Sequence, residues 1–203
     1  MRDPGRRGLL GSMTTLDQIR QAIAADPANA WARRLGYQPV YVAHPAARIL
    51  VIGQAPGRRA QETGLAWNDR SGETLFSWLG VAEETFRNEE LFAVMPMDFY
   101  YPGKGTNGDL PPRRDFAARW HPGLLAEMPD IRLTLLVGAY AQRHYLGGAD
   151  SVTSRVLRFR DYLPTMLPIV HPSPLTRQWR SRNPWFEADL LPDLRSQVAE
   201  ILR

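Results

Sequence analysis

Four short segments of this 203-residue chain carry residue types whose spacing suits chemistry. Gly53-Gln54-Ala55-Pro56-Gly57 follows directly on an apolar run. Glycines there let a ligand approach the backbone, and a turn of N–H groups can hold an oxyanion or a carbonyl. A plain strand-to-loop turn reads the same way. No Gly-Lys-Ser/Thr follows, so it is neither a Walker loop nor a dinucleotide fingerprint. Further on, Trp67-Asn68-Asp69 precedes Ser71-Gly72. Trp67 can stack on a planar ligand or plug the core. Asn68 or Asp69 can hydrogen-bond that ligand or hold water, while Asp69 or Ser71 can instead cap the helix that follows. His171 closes another apolar run, and the loop Pro172-Ser173-Pro174 stiffens its surroundings. A histidine so placed can make a structural hydrogen bond, or donate to a carbonyl or a developing anion. Between Leu175 and Trp185 lie Arg177, Arg180 and Arg182 with two tryptophans and no acid. That stretch is a solvated turn, or it contacts phosphates while Leu175 wedges into a base stack.

The elements that must position these segments alternate. A helix is predicted from Met13 to about Ala25, capped by Thr15, with Leu16, Ile19 and Ile23 at helical spacing. Trp31 and Tyr41 anchor the mixed stretch after it. Short apolar runs at Arg48–Ile52, Leu91–Met95, Leu133–Val137 and Thr165–Val170 read as strands buried on both faces. Helices are expected over 72–79, 113–128 and 139–146, and a closing helix over 184–202, kinked or split at Pro192. A long polar loop fills 98–112. The expected fold is α/β: a three-layer αβα sandwich around a four-stranded, mainly parallel central sheet. In such folds ligands bind beyond the carboxyl ends of the strands, where the unusual segments fall.

Composition narrows the function classes. Hydrophobic residues at 44% and charged residues at 23% exclude a disordered tail or a fibre. No run is long and apolar enough for a transmembrane helix, so no membrane association is expected, and cytoplasmic residence is the default. Cys is 0, which removes disulfides, thiol catalysis and cysteine-ligated clusters. Lys104 is the only lysine, so arginine carries almost all the positive charge. Residues 1–12 read as a leader or an expression tag, leaving 13–203 as one domain. They hold three Arg against one Asp, half of the net +4. What remains is weak evidence for nucleic acid, and where the arginines cluster matters more than their sum.

Taken together, the segments from Ile49 to Trp185 resemble the uracil-DNA glycosylase superfamily. Gly53–Gly57 looks like its first active-site loop, which would put Ala55, Pro56 and Gly57 against the base. Gly64–Gly72 is similar to the loop that supplies the stacking aromatic, here Trp67, with Asn68 beside it. Leu133–Ala141 looks like the third strand entering a helix, and His171–Leu175 resembles the closing motif. The resemblance implies a monomeric DNA repair enzyme that hydrolyses the N-glycosidic bond of uracil and leaves an abasic site, on single-stranded or mismatched DNA. His171 would donate to the uracil anion, Ser173 and Leu175 would meet the duplex, and Arg177, Arg180 and Arg182 would hold phosphates. Members usually carry an acid or Asn in the first motif. Gln54 stands there in this chain, so Gln54 would orient the water, with Asp69 or Asp98 supplying a carboxylate. Met95 takes the place of the Asn that ends the second strand, putting Met95, Asp98 and Phe99 in the base-binding set. Without cysteines the chain falls in a cluster-free or divergent branch, with no metal and no cofactor. Another deaminated base, hypoxanthine or xanthine, and a binding module without turnover are the alternatives. An unrelated α/β enzyme acting on a nucleotide or nucleoside is a third.

Overall fold

The computed structural model describes residues 14–106 and 108–203. The expected leader and Met13 lie outside the described residues. Thr14, not Thr15, caps the first helix, α1 (Thr15–Ala25). Its hydroxyl accepts from the Asp17 N–H while the Asp17 carboxylate returns to the Thr14 N–H. The acid three residues on from Thr14 completes this reciprocal box. A short helix, α2 (Ala30–Arg34), follows.

The central sheet is built from β1 (Ile49–Ile52), β2 (Phe92–Val94), β5 (Leu133–Val137) and β6 (Met166–Ile169) in the order β2-β1-β5-β6. All its pairings are parallel. Every residue of β1 is buried because both faces are covered. Ile49 and Val51 point into one core, Leu50 and Ile52 into the other. The first core is closed by α4 (Arg70–Leu79), α5 (Glu83–Arg87), α8 (Val152–Leu157) and α10 (Leu191–Leu202). The second is closed by α1, α6 (Phe116–Ala126) and α7 (Gly138–Leu146). The chain is thus a three-layer α/β sandwich with a four-stranded parallel sheet.

The remaining elements line the carboxyl edge of the sheet or lie close to it. α3 (Arg58–Thr63) follows the turn after β1, and α9 (Arg177–Arg182) follows the loop after β6. The polar stretch expected as loop contains an antiparallel hairpin, β3 (Lys104–Gly105) with β4 (Gly108–Asp109). The closing helix is split as expected. A wide turn over Phe186–Leu190 runs into α10, where Pro192 sits in the first turn and its missing N–H costs nothing. No helix among the described residues is long and apolar enough to cross a membrane.

Candidate functional site

A cleft of about 950 Å³ opens at the carboxyl ends of β1, β2 and β6. Its floor is the turn Gly53–Gly57. One wall is Trp67-Asn68-Asp69 with His171, Ser173, Leu175 and Thr176, and the other includes the hairpin residues Lys104, Gly108 and Asp109. Ten of the residues singled out in the sequence therefore share one cavity: Gln54, Ala55, Pro56, Gly57, Trp67, Asn68, Asp69, His171, Ser173 and Leu175.

Trp67 is held by close approach on two sides. A Cβ on Gly53 would lie 3.1 Å from its ring, so only glycine lets the indole rest on the floor that closely. A Cβ on Gly72 would lie 1.9 Å from the Trp67 carbonyl oxygen, so that position admits no side chain. Trp67 itself has φ 55°, a left-handed backbone that a bulky residue adopts only under constraint. Its indole is half-buried against the core and half open to the cleft, and its centroid lies 5.6 Å from that of His171.

Of the alternatives for Asp69, the structure shows the helix cap, and it also puts the residue on the cleft wall. Its carboxylate accepts the Gly72 N–H at 3.0 Å and caps α4, while the residue also lines the cleft. Gly80, in a left-handed conformation, ends the same helix. Burial pushes the His171 imidazole below its ordinary pKa, and the Asp69 charge opposes that shift. His171 is therefore neutral at pH 7, a ring with one N–H to donate. Gln54 is oriented as well. Its Nε2 donates to the Leu110 carbonyl at 3.1 Å, leaving Oε1 as the acceptor. Asn68 Nδ2 donates to the Thr63 hydroxyl at 3.3 Å.

The loop after β6 is tied at both ends. Gln142 Nε2 donates to the carbonyls of Leu136 (3.2 Å) and Ile169 (2.9 Å), joining the ends of β5 and β6 just ahead of His171. The Ser173 hydroxyl accepts the Leu175 N–H at 3.1 Å, and the Thr176 hydroxyl shares its proton between the His171 and Ser173 carbonyls, at 3.0 and 2.7 Å. Leu175 projects from this loop 88% exposed, the most open of the large apolar side chains described.

The loop after β2 corrects three expectations. Met95 and Phe99 are fully buried and Asp98 is 1% exposed, and none of them lines the cleft. Met95 packs into the core under α1, α6 and α7. Phe99 packs against Tyr41, Phe116 and His121. Asp98 is held by Arg113, whose Nε and Nη2 reach its two oxygens at 2.7 and 2.8 Å. That bidentate pair, with two backbone N–H donors, saturates the carboxylate and leaves nothing for water or a base. Pro96 lines the cleft in their place. Behind it, His121 Nε2 donates to the Pro96 carbonyl at 3.1 Å, so its Nδ1 must accept the Tyr145 hydroxyl, 2.7 Å away. Burial lowers the His121 pKa to about 4.

The arginine cluster is only partly available. Arg177 and Arg182 are exposed on α9, outside the cleft walls. Arg180 is half-buried, paired with Glu187 at 2.8 Å and lying over the Trp78 ring. Sequence reasoning missed three cations that do line the cleft: Arg58 and Arg59 at the start of α3, and Lys104 on the hairpin. The pair directly after Gly57 was the available signal. Lys104 faces Asp109 at 3.6 Å, and Asp109 lines the cleft opposite Asp69.

An aromatic plane, a neutral imidazole donor and an oriented amide acceptor around one cleft suit a planar heterocycle with carbonyl edges. A family model, the uracil DNA glycosylase superfamily, matches residues 39–195, a span that includes every wall of this cleft.

Proposed function

The chain belongs to the uracil DNA glycosylase superfamily, a family of DNA glycosylases, and from that premise we propose that its substrate is uracil in DNA, excised to leave an abasic site. The observation that carries the reading is the pairing of Trp67 and His171 on one wall of the cleft, with Leu175 exposed at its mouth.

Chemistry on a base requires that it leave the stack, at a cost of a few kcal/mol that is smallest in single strands and mismatches. Leu175 stands 88% exposed among the described residues, and it fills the space the base vacates. The base slides between the Gly53–Gly57 floor and the wall, and Trp67 stacks on it. His171, neutral, donates its N–H to a base carbonyl. That bond strengthens as the glycosidic bond breaks and charge collects on the leaving anion, so it favours the transition state over the ground state. The sugar becomes oxocarbenium-like and strongly electrophilic. Gln54 Oε1 orients the water that attacks it, and the Asp69 carboxylate is positioned on the same cleft to take the proton. Arg58, Arg59 and Lys104 hold phosphates on one bank, Arg177 and Arg182 on the other. Asn68 reads the base edge.

A second reading is supported by two observations. The cleft is roomy, and the end of β2 sends no polar side chain to a base edge. Both suit a larger deaminated base such as hypoxanthine or xanthine.

The test is single-turnover excision from labelled oligonucleotides carrying one uracil in U·G, U·A and single-stranded form, with a hypoxanthine oligonucleotide in parallel and alkali to cleave abasic products. Cleavage above an undamaged control on the uracil substrates supports the proposal. Cleavage of hypoxanthine alone moves the chain to the second reading. Uracil-dependent binding without cleavage makes it a module that holds the base without turnover.

A further inference from the structure

Arg87 lies outside the cleft walls, on α5, yet its guanidinium ends on the backbone of the stacking residue. One Nη donates to the Ala66 carbonyl and the other to the Trp67 carbonyl, the latter at 3.3 Å. Glu83, one turn earlier, accepts from Nε at 3.2 Å and from Nη2 at 3.0 Å and fixes the fork. The rings of Phe76 and Phe86 lie beneath the guanidinium, 5.5 and 5.8 Å from its centre, and only 22% of the side chain is exposed.

Those two carbonyls flank a backbone that needs support. Trp67 is the one non-glycine residue with positive φ among those described. Its carbonyl oxygen is pressed against Gly72 so closely that no side chain fits there. If the Trp67 backbone relaxed to an ordinary conformation, the indole would leave the Gly53 floor and its place beside His171.

We propose that Arg87 is a positioning residue that locks the left-handed Trp67 backbone and so holds the indole in its stacking place. Its part in excision rests on the glycosylase reading above, but its hold on Trp67 does not. A guanidinium suits the task because it alone reaches two successive carbonyls and a carboxylate at once. An ammonium at the same place satisfies one carbonyl and loses the fork.

The experiment compares wild type, Arg87→Ala, Arg87→Lys, Trp67→Ala and the double variant Arg87→Ala/Trp67→Ala by single-turnover excision of uracil. Near-UV circular dichroism of the first three is read against Trp67→Phe. Arg87→Ala is expected to lose roughly 10- to 100-fold in rate, the scale of an ångström's misplacement of a reacting group. Arg87→Lys is expected to recover part of that loss. In the Trp67→Ala background, removing Arg87 is expected to change the rate by less than about twofold, because the residue it acts through is gone. The near-UV band lost in Trp67→Phe is expected to shrink in Arg87→Ala while the far-UV spectrum stays as in wild type. A wild-type rate in Arg87→Ala, an equal loss in both backgrounds, or an unchanged near-UV band overturns the proposal. If Arg87→Ala does not fold, Arg87→Lys carries the same comparisons with an intermediate loss. If the wild type excises nothing, the glycosylase reading falls and the near-UV comparison alone decides the role of Arg87.

Discussion

Two loops leave the carboxyl edge of the sheet from its two outermost strands and meet opposite fates. The loop after β2 turns Met95, Asp98 and Phe99 into the interior. The loop after β6 leaves His171 on the cleft and Leu175 in solvent. Both begin at the carboxyl end of a parallel strand, the position from which function is ordinarily inferred. What separates them is supply of partners. Asp98 has Arg113, and Phe99 has three rings around it. Pro172 and Pro174 stiffen the second loop, and among the described residues no apolar side chain covers Leu175. Position at a strand end nominates a residue, and the absence of a better partner leaves it free for a ligand.

The contrast predicts that damage to the first loop is read as stability and damage to the second as activity. The largest effect belongs to Asp98→Ala, which takes the acceptor from the Tyr100 and Arg113 N–H groups and from the Arg113 guanidinium. Because Arg113 is 34% exposed and keeps its bond to Asn29, the cost stays below that of a fully buried pair, about 2–4 kcal/mol, to be read in urea unfolding, while the folded fraction excises at close to the wild-type rate. His171→Ala is the mirror case. Its excision rate is expected to fall by roughly 100- to 1000-fold, with the unfolding midpoint nearly unchanged. If His171→Ala unfolds the protein, or if Asp98→Ala stays stable and inactive, the contrast is reversed.

The two histidines sharpen it through pH. His121, behind the first loop, is held down to about 4, whereas in the unfolded chain it titrates near its ordinary value of 6.5. Between those values the unfolded chain binds a proton that the folded chain refuses, so stability is full above pH 6.5 and falls as pH drops toward 4. The loss approaches about 3 kcal/mol. His171, also pushed down by burial, adds in the same direction. Denaturant unfolding across pH 7 to 4 is expected to show a shallower dependence in His121→Gln than in wild type. The same slope in both would remove His121 from the account. The smallest effect is expected for Leu175→Ala, about a tenfold loss on duplex substrate and little on single strands, where no stack needs filling. Equal losses on both would deny it the wedge role.

The sequence made the sheet legible for a physical reason. Strands covered on both faces must be apolar throughout, so the runs at Ile49–Ile52 and Leu133–Val137 could be read directly. Gly53–Gly57 and His171–Leu175 were legible because glycine and proline state backbone constraints locally. The helices α2, α3, α5 and α8 were not, since five or six residues are too short for a period to show. The fate of Asp98 was hidden because its partner lies 15 residues on, and that of Phe99 because Tyr41 comes from before β1. Lys104 is far along the chain from the Arg58-Arg59 pair, and only the hairpin brings it to the cleft. Arg87 could not be found at all from sequence, because what it holds is a backbone carbonyl.

The single hydroxyl of Thr176 reaches back to the carbonyls of both His171 and Ser173, and Ser173 in turn holds the Leu175 amide. Leu175 and His171 are therefore tied into one hydrogen-bonded block. On the proposed reading of Leu175 as the wedge and His171 as the donor, the consequence is mechanical: a push on the leucine by a closing base stack would be carried to the imidazole instead of being absorbed by the loop.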